Sequence, residues 1–229
     1  MPDPIRVAMV LFPELTQLDL TAPYEVFARI PGAEVQLVAR DAAPVKSEFG
    51  LSIAPTATFD TAAPADVLCV PGGKGIAGAI EDPRLIDFLR RQAERASWIT
   101  AVCTGALVLG AAGLLKGYRA TTHWLSVDLL PLLGAIPVEG ARVVIDRDRV
   151  TAGGVTAGLD FGLAIAERLR GTRVAEQIQL MIEYDPSPPF SAGSPRTAPP
   201  DLVEAIRSAR RSVQQSRREV LERAMQRLG

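Results

Sequence analysis

The stretch "SWITAVCTGALVLGAAGLL" (residues 97–115) decides the fold, because a short apolar run passes through a thiol into a series of small and aliphatic residues. "WITAV" reads as a buried strand, and the residues after Cys103 have the composition of a helix. Cys103 therefore stands at a strand-to-helix joint. Thr104, Gly105 and Ala106 give the small side chains that a sharp turn of this kind needs. A helix start favours an anion, so the thiol there is expected to ionise more easily than usual. Buried cysteines are common, however, and spacing alone leaves Cys103 open between nucleophile and small core residue.

Outward from this joint, short apolar runs alternate with helical segments. "IRVAMVLF" (5–12), "EVQLVAR" (34–40) and "DVLCVPGG" (66–73) read as strands. "QLDLTAPYEVFARI" (17–30) reads as a turn leading into a helix. "DPRLIDFLRRQAERA" (82–96) has helical spacing with Pro83 in its first turn, and "DFGLAIAERL" (160–169) is helical too. "PVKSEFGLSIAPTATF" (44–59) looks like an antiparallel excursion. Alternation of this kind, with continuously apolar strands, implies an α/β fold whose mostly parallel sheet carries helices on both faces.

A change of composition follows Tyr184. "DPSPPFSAGSPRTAPP" (185–200) is rich in Pro, Ser and Gly and should be irregular. Residues 201–228 then read as one helix with seven arginines, Arg207 to Arg227, and an apolar stripe through Val213, Val220 and Leu221. The interspersed Glu204, Glu219 and Glu222 favour a solvated packing helix over a DNA-binding one. The expected organisation is a domain over 1–184 and a segment over 185–229 that packs on it or on a dimer partner.

The 229 residues suit one α/β domain, with 48% hydrophobic and 22% charged residues. A net charge of −1 gives no general attraction to nucleic acid or anionic membrane. The apolar run before Pro13 is too short for a signal peptide or membrane span, and a cytoplasmic protein is expected. His123 is the only histidine and Cys69 the only other cysteine, leaving little with which to build a zinc site or a disulfide framework. Cys69, between Leu68 and Val70, reads as core.

Two further features gather around Cys103. "VPGGKG" (70–75) closes a strand, and in an open α/β sheet its amides at Gly72 and Gly73 would share the crevice at the carboxyl ends of the strands. They are candidates for stabilising a developing anion, or else plain turn residues. Asp19 precedes a helix start and could cap it, but Thr21 before Pro23 caps it as well, which frees Asp19 for proton transfer.

"LFPELTQLDLTAPYEVF", "DVLCVPGG", "TAVCTGALVLGAAGLLKGYRATTHW" and "VTAGGVTAGLDFGL" together resemble the DJ-1/PfpI superfamily over nearly the whole chain. Within it the chain is most similar to the isocyanide-hydrating branch, as "EYDPSPPFSAGSP" and the C-terminal helix also suggest. The resemblance implies a homodimer of flavodoxin-like three-layer subunits with Cys103 as nucleophile at the elbow. Asp19 takes the position of the acidic residue beside the thiol, and Thr104 adjoins it. The protease-like branch has His where this chain has Thr104, which argues against peptidase chemistry; His123 is read as structural. Gly153, Gly154 and Val155 are expected to bring backbone near Cys103.

The implied reaction adds water to an isocyanide through a cysteine thioimidate to give an N-substituted formamide, with no cofactor or metal. Two alternatives remain beside it. One is a glyoxalase or deglycase of the same fold, whose better-known members carry Glu where this chain has Asp19. The other is a ligand-sensing module like those of AraC-type regulators, which share "RATTHW" but continue into paired helix-turn-helix units.

Overall fold

The structure is a computed structural model and describes residues 3–228. Its centre is a seven-stranded sheet in the order β10-β11-β7-β6-β1-β2-β5. These strands are β1 (Ile5–Val10), β2 (Ala33–Ala39), β5 (Ala57–Thr58), β6 (Val67–Val70), β7 (Trp98–Val102), β10 (Val143–Asp146) and β11 (Arg149–Ala152). Every pairing is parallel except that of β10 with β11. β1 and β6 are buried along almost their whole length, as strands covered on both faces must be.

Small two-stranded sheets lie outside it. β3 (Val45–Lys46) pairs antiparallel with β4 (Ser52–Ile53), and β8 (Arg119–Ala120) runs parallel to β9 (Ile136–Pro137). On one face α1 (Gln17–Phe27) packs against α5 (Ala157–Arg170), with α6 (Thr172–Met181) beyond it. Phe27 meets Phe161 edge-on at 5.8 Å across that contact. A second group joins α2 (Ile76–Glu81), α3 (Pro83–Ala93), α4 (Gly105–Ala111) and α7 (Pro200–Leu228). α7 also covers the 3-10 segment Trp124–Leu133. The result is the flavodoxin-like α/β architecture, a mostly parallel sheet between helical layers.

Several local boundaries depart from the sequence reading. α1 starts at Gln17, so Asp19 lies in its first turn and Pro23 within it. Thr21 caps nothing; its hydroxyl donates to Gln17 Oε1 at 2.8 Å. Tertiary packing extends the helix upstream of the start that Thr21 and Pro23 suggested, because Pro23 and Val26 seat against Gly158 and Gly162 of α5. α4 ends at Ala111, before the expected Leu115, and Gly113 then takes a positive φ of 80°. Residues 185–199 form no regular element. α7 spans nearly the expected range and inserts Val220, Leu221 and Ala224 into the core.

Candidate active site

Three chain turns meet at the carboxyl edge of the sheet. One follows β1 and carries Asp19 at the start of α1; another, after β6, holds Gly72 and Gly73; Cys103 is the first residue beyond β7. Cys103 has φ 55°, a left-handed conformation that a side-chain-bearing residue adopts only where its surroundings enforce it. Its N–H reaches two carbonyls of the next strand's end, Ala152 O at 3.0 Å and Gly153 O at 3.1 Å. Its own carbonyl accepts from Thr122 Oγ1 at 2.7 Å. The elbow is thus fastened from both sides and delivers the thiol inward, only 6% exposed.

Close packing underneath explains the glycines. A Cβ on Gly105 would lie 2.2 Å from Val70 O, so only glycine lets α4 start against β6. On Gly72 it would come within 2.6 Å of Thr104 N and Oγ1 and 2.9 Å of Asp19 Oδ2. The Gly72–Gly73 turn and the Cys103–Thr104 turn are therefore in direct backbone contact.

Both amides of the glycine turn are occupied, contrary to their expected role at a developing anion. Gly72 N–H donates to Asp19 Oδ2 at 3.0 Å, and Gly73 N–H donates to Thr104 Oγ1 at 3.1 Å. The turn instead positions the carboxyl. The backbone donor that favours the thiolate is Thr104 N–H. Thr104 thus serves the site through both its amide and its hydroxyl.

Asp19 is completely buried. Its Oδ1 has no hydrogen-bond partner among the described residues, and the Cys103 thiol lies near enough to the carboxyl to influence it. Burial pushes the carboxyl up from 3.8 to about 7, against the lowering effects of the thiol and the Gly72 amide; the charge of Glu48 adds to the rise. Burial and then the Asp19 charge push the Cys103 thiol well above its ordinary value. The easy ionisation expected from a helix start is overturned, since α4 has only seven residues and the desolvation of a buried sulfur is the larger effect. The resting site holds a protonated thiol beside a carboxyl that titrates near neutrality.

The remaining candidates lie around this pair. His123 Nδ1 accepts from Leu125 N–H at 3.3 Å, capping the 3-10 segment, and its ring packs on Gly154. Burial lowers it to about 4, with help from the charges of Arg217 and Arg210, so the imidazole is neutral at pH 7. Gly153 reaches Cys103 through its carbonyl; Val155 O accepts from Gly158 N–H at 3.3 Å at the start of α5. Cys69 is fully buried in β6 beside Met9 and Thr100, its thiol pushed up to about 12 by burial.

Two groups escaped the sequence reading. Thr16 Oγ1 donates to Glu48 Oε1 at 2.8 Å, which brings a second carboxylate toward Asp19. Arg217 of α7 reaches Gly73 O at 3.4 Å and Ser126 Oγ at 3.2 Å. Its signal was a charge inside an apolar stripe, at helical spacing from Val213, Val220 and Ala224. A cavity of about 510 Å³, floored by Leu11, Phe12, Phe59 and Leu85, opens beyond β1 and β2, but neither Cys103 nor Asp19 lines it.

A thiol on a strained strand–helix elbow, with a buried carboxyl against it at the carboxyl edge of a parallel sheet, defines a flavodoxin-like α/β protein with a cysteine-centred site. Residues 5–168 match the DJ-1/PfpI family, and the chain belongs to it. It is 50% identical over 224 residues, 98% of either chain, to the isonitrile hydratase of Pseudomonas putida. The crystal structure of a ThiJ/PfpI family protein from Pseudomonas syringae superposes with a TM-score of 0.93 at 46% identity, covering 96% of this chain and 91% of that one. The transcriptional regulator GbdR of Pseudomonas aeruginosa is 29% identical over 190 residues, 80% of this chain and 52% of the regulator.

Proposed function

We propose that this protein is an isocyanide hydratase, a cofactor-independent lyase that converts R–N≡C and water to an N-substituted formamide. The observation that carries the reading is the Cys103 thiol on its strained elbow close to the buried Asp19 carboxyl, which is held near neutrality and whose Oδ2 is fixed by Gly72 N–H. The 50% identity to an isonitrile hydratase across 98% of either chain supports the choice of substrate class.

The reaction follows from the protonation states. Ionised Asp19 takes the thiol proton as sulfur bonds to the terminal carbon of the isocyanide. The carboxyl then delivers that proton to the same carbon, giving the neutral thioimidate R–N=CH–S–Cys103. Ionised again, Asp19 removes a proton from water as its oxygen adds to the carbon. The proton passes to nitrogen, Asp19 takes the remaining hydroxyl proton as C=O forms and the C–S bond breaks with its electron pair on sulfur, and R–NH–CHO leaves. Asp19 finally returns that proton to sulfur. Thr104 N–H favours the departing thiolate, while Gly72 N–H fixes the carboxyl.

We further propose a cytoplasmic homodimer in which 185–229 is an integral appendage of the 1–184 domain, since α7 covers the 3-10 segment and α2. The decisive experiment incubates the protein with para-nitrophenyl isocyanide and, separately, with methylglyoxal. Formamide production, together with a mass adduct on Cys103 and loss of both in Cys103→Ala, is expected. Lactate from methylglyoxal without formamide would assign the glyoxalase chemistry instead.

A further inference from the structure

We propose that Arg217 is a positioning residue for this site: it holds the Gly72–Gly73 turn against Asp19 and sets a half-buried positive charge two hydrogen bonds from Thr104, the neighbour of the departing Cys103 thiolate.

The geometry is unlike that of its neighbours on α7. Arg218 pairs with Asp128 at 3.1 Å and Arg223 with Glu81 at 2.7 Å, as exposed arginines do. Arg217 turns inward, and among the described residues it makes no ion pair, taking neutral acceptors only. These are Gly73 O, Ser126 Oγ and, with its amide oxygen turned toward the guanidinium, Gln214 at 3.1 Å. In that orientation Gln214 N donates to Leu125 O at 3.2 Å and Ser126 Oγ at 2.9 Å. Ser126 itself is fully buried. A guanidinium so placed is costly unless a negative charge forms nearby.

One chain of contacts leads from it to the reacting pair. Arg217 binds Gly73 O, Gly73 N–H binds Thr104 Oγ1, and the adjoining Gly72 N–H binds Asp19 Oδ2. The charged or titratable groups that act on the thiol and on Arg217 are Asp19 on α1, Glu48 between β3 and β4, and Arg210 on α7. His123 is neutral and adds no charge. Arg217 acts on the thiol in the direction that favours the thiolate, and the thiolate in turn favours the guanidinium.

This matters most in the second half of the cycle described above, on whose reading the kinetic consequence rests. When the C–S bond breaks, the electron pair stays on sulfur inside a buried site. Asp19 takes the hydroxyl proton of the adduct as the C=O bond forms and is neutral at that moment, so it neither repels the thiolate nor compensates it. Arg217 is then the counter-charge.

The test compares Arg217→Met, Arg217→Gln and Arg217→Lys in the full chain. Alkylation of Cys103 by iodoacetamide is followed by mass spectrometry across pH, and turnover of para-nitrophenyl isocyanide is measured in parallel. Arg217→Met should move the alkylation midpoint upward and slow the reaction at pH 7 roughly tenfold. It should also lower kcat more than it alters KM. Arg217→Lys should keep the midpoint near that of the unaltered protein. Arg217→Gln retains a donor for Gly73 O without charge and should behave like Arg217→Met, which covers the case in which the methionine variant does not fold. An unchanged midpoint in the folded neutral variants, or a lysine variant as slow as they are, would overturn the proposal. The alkylation result needs no isocyanide, so it stands or falls separately from the hydratase reading.

Discussion

In the mechanism proposed above Asp19 is the residue on which the chemistry turns, and its titration has a consequence for stability. Its folded value, about 7, lies above the ordinary 3.8, so the folded state binds the proton more tightly than the unfolded chain. The resulting stabilisation is complete below about pH 4 and is lost as pH rises through 7. Asp19→Asn removes this dependence while its amide can still accept from Gly72 N–H. The variant should match the unaltered protein at pH 4 and exceed it at pH 8 by on the order of a few kcal/mol, measured by urea denaturation. The same substitution should abolish the rise in kcat/KM with pH near 7, because the proposed mechanism makes ionised Asp19 the group that takes the thiol proton. Equal stability of the two proteins at pH 8 would show that the carboxyl is not held near neutrality by burial. The turn at Cys103 was legible in the sequence because Thr-Gly-Ala after the thiol marks a sharp elbow, while its reading as a nucleophile came with the family resemblance. The direction of its ionisation was not legible, because it depends on burial and on a carboxyl 84 positions earlier in the chain.

Among the elements, the two turns at Gly72 and Cys103 act as one unit with the start of α4. Gly105→Ala sets a methyl group against the carbonyls of Val70 and Pro71, at 2.2 and 2.7 Å, with no side chain that could give way. The variant should lose about 3 kcal/mol or more in denaturant unfolding. A loss below about 1 kcal/mol would mean that α4 is free to shift away from β6. Strand order and alternation were legible because buried parallel strands leave continuous apolar runs such as "DVLCV" and "WITAV". The start of α1 was not: local capping rules favoured Thr21, but contact between α1 and α5 prevailed. Nor could the glycine amides be assigned, since their partners Asp19 and Thr104 lie 53 and 31 residues away.

For the whole molecule, the apolar side chains left outside the core are the main unfinished feature. Phe49 is 91% exposed, Leu180 83% and Phe190 80%, and the homodimer proposed above would be expected to cover apolar side chains of this kind. Light scattering should give about twice the 24.4 kDa of one chain. A mass equal to one chain at micromolar concentration would refute the dimer. The 185–229 segment was recognisable from composition as irregular chain followed by a helix, whereas its delivery of Arg217 to the far side of the sheet's carboxyl edge was not. That placement depends on the docking of α7 over the 3-10 segment.

The burial of Cys69 in the middle of β6 supplies a clock for opening of the sheet. Cys103 lies at the carboxyl edge of the sheet, 6% exposed, but Cys69 has no exposure and neighbours on both flanking strands. A thiol reagent added to the native protein should therefore mark the chain first at Cys103, and a second time only when the central sheet opens. The interval between the two mass increments measures global unfolding under native conditions, without denaturant and without an introduced probe.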